Sequence, residues 1–214
     1  MRTRARAIAV VVAGLMLAAC GNIHPGAAAV VDGRSISMKS LDKTAKIYCH
    51  YALAAAKANG ATKPSNVEVR RQAISGIVTA AVARKVAAAK GITPKPQTYV
   101  LTGAQHDQIA KQFPSNTHDV IKTIEDAQEM SEISVRLGEL STGTTRTADN
   151  ASQLAEVGQG EIVKAFRTYH VHFAPRFGLN DKLKAVASTG SLSVADRSLD
   201  KSASNELPAA QHCA

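Results

Sequence analysis

Hydrophobic and polar positions divide this chain into one unbroken apolar run, a short β segment and a series of amphipathic stretches. The apolar run is residues 7–19, behind a start that carries Arg2, Arg4 and Arg6. Next, Ala28-Ala29-Val30-Val31 and Arg34-Ser35-Ile36 flank Asp32-Gly33, and an Asp-Gly pair between β-formers predicts a hairpin. A first helix is predicted from Met38 to about Asn59, with Ser37 as N-cap. Leu41, Ala45, Cys49, Ala52, Leu53 and Ala56 give it one apolar face, and Asn59-Gly60 gives it a stop. A second helix follows Pro64, where Ser65 and Glu68 have capping-box spacing. Its stripe is wide, running through Val69, Ala73, Ile74, Ile77, Val78, Ala81, Val82 and Val86. Arg70, Arg71, Arg84 and Lys85 lie at the margins. Gly91 closes the helix, and Pro94 and Pro96 bar an immediate restart.

Three more helices follow the same logic, at about 103–113, 117–140 and 148–165. The fourth places Val120, Ile121, Ile124, Ala127, Ile133, Leu137 and Leu140 on its buried face. The fifth is weakened by Gly158 and Gly160, since glycine lowers helix stability. Residues 167–173 then alternate with period two, with Tyr169, Val171 and Phe173 on one side, and predict a strand. Pro175-Arg176-Phe177-Gly178 reads as a turn, Ser191–Val194 as a further extended piece, and 195–214 as a polar tail. The predicted fold class is mainly α: four to five helices, with short strands from the two chain ends paired together.

Composition gives the opening segment its meaning. A basic start, an apolar run and small residues before Cys20 form the pattern of a secretory signal, and the run is shorter than the roughly 20 residues a membrane span needs. Leu17-Ala18-Ala19-Cys20 resembles a bacterial lipobox, whose cysteine becomes the mature N-terminus carrying diacylglyceryl and palmitate-type acyl chains. The expected organisation is a signal peptide over 1–19, a lipidated tether over 20–27, a helical domain over 28–194 and an extended tail over 195–214 tied by Cys213. The expected location is the extracytoplasmic face of the cell membrane, held by lipid on Cys20. Removing the three arginines of residues 1–19 from the formal +9 leaves +6. A positive balance favours contact with anionic lipid or wall polymer, while export and the scatter of the basic residues argue against nucleic acid; the first reading of the charge is a solvated surface. Aromatic residues make up only 4% of the chain, so the core has to be built from Ala, Val, Ile and Leu. With Cys20 assigned to lipid, Cys49 and Cys213 remain, either as a disulfide or as two free thiols. An oxidising compartment favours the disulfide, and the place of Cys49 on an apolar stripe favours a structural cysteine.

Candidate chemistry is sparse. His170 and His172, two apart on the predicted strand, have a spacing at which two imidazoles can share a metal, but no third ligand lies near in sequence. They read instead as solvent-facing, and no metal or cofactor is expected. No Gly-x-Ser-x-Gly elbow or glycine-rich phosphate loop occurs, and no catalytic residues are assigned. Glu125, Asp126, Glu129 and Glu132, near Lys122, read as a solvated helix face. Arg176 is placed to lock its corner by pairing with a helix carboxylate.

Several of these segments, taken in order, carry a resemblance. Residues 29–37 (Ala-Val-Val-Asp-Gly-Arg-Ser-Ile-Ser), running into a helix with Leu41 and Asp42, look like the opening segment of the SurA N-terminal chaperone domain. The amphipathic helix Val69 to Ala89, ending in Lys90-Gly91-Ile92-Thr93, is similar to that domain too. Actinobacterial lipoproteins of this type are similar at Pro175-Arg176-Phe177-Gly178, Leu192-Ser193-Val194 and Leu207-Pro208…Cys213. The resemblance implies a helical body that binds unfolded or exported polypeptide clients through apolar grooves, without catalysis. Relatives often add a parvulin-type isomerase domain, for which no segment is free here. The alternatives are a scaffold lipoprotein with one envelope partner and an enzyme related to peptidyl-prolyl isomerases.

Overall fold

The computed structural model describes residues 26–186 and 211–213; Cys20, the apolar run, Ser191–Val194 and Leu207-Pro208 lie outside the described residues. Strands β1 (Ala27–Val31) and β2 (Arg34–Ser37) form the hairpin predicted around Asp32-Gly33. Both turn residues have left-handed backbone, with φ of 52° and 74°, as a tight hairpin requires. Helix α1 (Met38–Ala58) starts at Ser37, whose hydroxyl accepts from the Ser40 amide at 3.1 Å. Helices α2 (Asn66–Ala89), α3 (Gly103–Gln112), α4 (Thr117–Thr142) and α5 (Ala151–Ala165) follow. Strand β3 (His172–Phe173) returns antiparallel to β1 and completes a sheet of order β2-β1-β3. The described body is mainly α, with strands from both ends of the helical series paired together.

Helix α2 is the centre of this body. Its buried residues, among them Val69, Ala73, Ile74, Val78, Val82 and Ala87, run round the helix rather than along one stripe. A helix with buried residues on most of its sides is one largely enclosed by neighbours. Around it sit Ala28 and Val31 from β1, Leu41 and Ala45 from α1, Ile133 and Leu137 from α4, Ile162 from α5 and Phe166 just beyond its end. A smaller cluster of Ile47, Leu101, Ile109 and Val120 holds α3 against α1 and α4.

Three expectations are revised. The strand predicted over 167–173 pairs only at His172 and Phe173. His170 adopts φ 46°, and the Val171 amide donates to Phe166 O, so residues 166–171 form a turn. Ser65 begins α2 without a side-chain cap, and Glu68 instead accepts from Gln72 at 3.3 Å. The backbone of Ser65 bridges to His212, and the complete capping box lies at Thr102 and Gln105. Finally, Gly158 has a packing role beside its cost to the helix. Helices α4 and α5 cross antiparallel so closely that a Cβ at Gly138 would overlap the carbonyl of Leu154, and one at Gly158 the carbonyl of Ser134.

Backbone atoms cannot swing aside as side chains do, so Gly138→Ala and Gly158→Ala are each expected to lower stability by about 1–3 kcal/mol through overpacking. Gly160→Ala, where a Cβ meets nothing within 4 Å, should be neutral or stabilising. Denaturant midpoints of the three variants check this order.

Candidate functional site

The candidate site is a groove where the C-terminal ends of α2 and α4 meet the last turns of α5. Each glycine at the groove ends a helix for a backbone reason. Gly91 takes φ 69° after α2, letting the Ile92 amide reach Ala87 O at 2.8 Å, and Gly143 takes φ 68° after α4, its amide on Glu139 O at 2.9 Å. The chain therefore turns away at both places and leaves the space between open. One pocket of about 240 Å³ is bounded by Val86, Leu137, Leu140, Glu161, Lys164 and Ala165. A wider depression of about 630 Å³ adjoins it, sharing Lys90 and Leu140 and reaching Ile92, Arg136, Glu139 and Thr144.

Leu137 is buried beneath this groove, whereas Leu140 is 58% exposed. Leu140 was expected on the buried face of its helix; it lies one turn past the last core position of α4 and stands in the groove instead. Most charged groups of the rim are paired, while Lys90 has no ion pair among the described residues. Glu161 accepts from Lys164 at 2.8 Å, and Arg136 reaches Glu139 at 3.2 Å. The loop beyond α4 is pinned back on that helix by Arg146, whose amide donates to Glu139 at 2.7 Å and whose guanidinium meets the buried Glu132 at 2.8 Å. The Arg146 amide, followed by Arg136, holds the Glu139 carboxyl below the ordinary carboxylate value against the opposing effect of burial.

The acidic surface of α4 is thus not a solvated face. Glu132 is buried, Glu125 accepts from the Leu101 amide at 3.0 Å, and Asp126 and Glu129 both engage Arg84 of α2. These contacts join elements distant in the chain, which spacing along one helix does not reveal. Arg176 is exposed and has no ion pair among the described residues; the corner is locked by Arg71 of α2, whose Nε donates to Phe177 O at 2.7 Å. At the other end of the sheet, Lys85 binds Asp32 at 2.6 Å and sits 5.4 Å from the centre of the Tyr169 ring. That hydrogen bond lowers the Asp32 carboxyl pKa.

Cys49 and Cys213 are joined, with Cα atoms 5.6 Å apart. Both are buried with Val69 in a small cluster apart from the main core. The Cys213 amide donates to Pro64 O at 3.0 Å, so the far end of the chain is fixed to the segment between α1 and α2. His170 and His172 are not brought into any group able to hold a metal among the described residues. No described helix is long and apolar enough to cross a membrane. No protein-family model matches the chain, and no curated protein or solved structure is significantly similar to it.

The disulfide spans 164 residues of sequence, and its reduction or Cys213→Ala is expected to cost about 2–5 kcal/mol. Denaturant unfolding with and without reductant measures this. A second expectation concerns acid. The lowered carboxyl of Glu139 stabilises the folded loop fully above the ordinary carboxylate value, and that contribution is lost as pH falls through the lowered value. The protection of the Arg146 amide against hydrogen exchange, taken relative to its intrinsic rate at each pH, should therefore fall in acid, and Glu139→Gln should remove most of that pH dependence.

Proposed function

We propose that this chain is a lipid-anchored extracytoplasmic protein whose helical body binds extended segments of unfolded or exported polypeptides and carries out no chemistry on them. The anchor reading is supported by the basic start, the apolar run and Cys20 after Leu17-Ala18-Ala19. The Cys49–Cys213 bridge fits the same setting, because disulfides persist in oxidising compartments.

The observation that carries the binding reading is the exposure of Leu140 at the meeting of the two depressions. An aliphatic side chain held open over an apolar floor, between charges of both signs, suits a bound segment of varied sequence. Hydrophobic contact supplies the attraction, and the rim offers partners to either charge. The modest size of the inner pocket favours, as the second reading, a short segment of one dedicated envelope partner.

A photo-crosslinking residue at Leu140 should capture an unfolded client, and the protein should slow that client's aggregation. Leu140→Asp is expected to weaken capture about tenfold or more, the worth of one buried aliphatic side chain. Capture of a single partner from the cell envelope would select the second reading. Neither crosslinking nor slowed aggregation would overturn both.

A further inference from the structure

Two exposed basic residues, Lys39 and Arg176, border Gly26, where the described residues begin, and the hairpin that follows Arg176 in the chain carries two more. Gly26 O accepts the Met38 amide at 3.0 Å, which puts the first turn of α1, with Lys39, on one side of Gly26. On the other side, the Ala174 amide donates to Ala28 O at 2.9 Å, so the turn Pro175–Phe177, with Arg176, borders it there. Gly178 O then accepts the Val186 amide at 2.8 Å, closing a hairpin that carries Lys182 and Lys184. All four are exposed and lack an ion pair among the described residues. The acids beside them in sequence are already engaged, Asp42 by Arg70 at 2.6 Å and Asp181 by Arg167 at 3.5 Å.

Chain length adds an independent constraint. From Cys20 to Gly26 the backbone reaches at most about 20 Å when fully extended. Whatever holds Cys20 must therefore lie within that distance of Gly26. We propose that this face, with Lys39 and Arg176 flanking Gly26 and Lys182 and Lys184 on the hairpin that follows, docks the body on anionic phospholipid headgroups. The proposal rests on the reading of Cys20 as the lipid anchor. The interaction is electrostatic: basic side chains brought to a negative surface bind it in a salt-dependent way.

The test uses the chain from residue 20 onward with Cys20→Ser, so that its outcome does not depend on acylation; acylation itself is read separately, by mass spectrometry of the Cys20 peptide from membranes. Sedimentation is measured with vesicles of phosphatidylcholine alone and of phosphatidylcholine with equimolar phosphatidylglycerol, at low and high salt. The expected result is binding to the anionic vesicles at low salt, lost at high salt. The double variant Lys39→Gln/Arg176→Gln should weaken binding about tenfold or more. Lys95→Gln/Lys111→Gln, beyond the C-terminus of α2 and on α3, removes the same charge elsewhere and should change binding little. Both variants alter exposed side chains that have no ion pair among the described residues, and unchanged melting by circular dichroism verifies that each is folded. Equal binding to both kinds of vesicle, absence of binding at low salt, or equal loss in the two double variants would overturn the proposal.

Discussion

At the crossing of α4 and α5, the carbonyl groups of Ser134 and Leu154 occupy the space that Cβ atoms at Gly158 and Gly138 would need. Two helices can approach this closely only where side chains are missing, and the sequence supplies that on both partners in one antiparallel register. The consequence spreads outward. With α4 and α5 drawn together, Ile133, Leu137, Ile162 and Phe166 form a continuous apolar surface against α2. A chain with few aromatic residues has little bulk with which to fill gaps, so it relies on close backbone approach. The groove depends on the same crossing, because its floor residue Leu137 lies one position from Gly138.

What the sequence makes legible here is what a local signal decides. The Asp32-Gly33 hairpin, the Ser37 cap, the stop at Gly91 and the number of helices all follow from residues near one another in the chain. The misreadings share a different cause. Gly158 shows only its cost to the helix, because the partner that requires it, Ser134, is on another helix. The Ser65 box looks complete until Ser65 is found bridged to His212, which arrives from the end of the chain. The acids of α4 look solvated until Arg84 of α2 and Arg146 of the following loop are set beside them. Leu140 keeps the spacing of a core residue, yet its helix outlasts the neighbours that would cover it. Period and capping describe a segment; coverage depends on the rest of the molecule.

The disulfide and the Arg71 lock show the same economy at the edge of the fold. Val69 and the two cysteines form an outlying cluster, remote from the groove, where apolar contact alone is thin. A covalent link there limits the unfolded chain more than it adds contact to the folded one. Arg71, by contrast, acts through a single hydrogen bond to Phe177 O that seats the corner after β3 against α2. Both fasten late segments onto the first half of the chain, so the helices between them are enclosed by fixed ends.

The position of β1 along α2 links the two surfaces argued above. The Gly26 end of the sheet lies near Arg71, through Phe177, and the Asp32 end is held by Lys85. From Arg71 to Lys90 a helix rises about 28 Å. Gly26 and the groove therefore sit towards opposite ends of one rigid element. If the basic face near Gly26 rests on a bilayer, the groove at Val86, Leu140 and Lys164 is carried to the far side of the body, facing the space an exported polypeptide would cross. A body hung loosely on its tether would offer the groove in every direction. One seated on Lys39 and Arg176 would hold it outward at a height set by the length of α2, and so the docking face would decide where the groove meets its ligand.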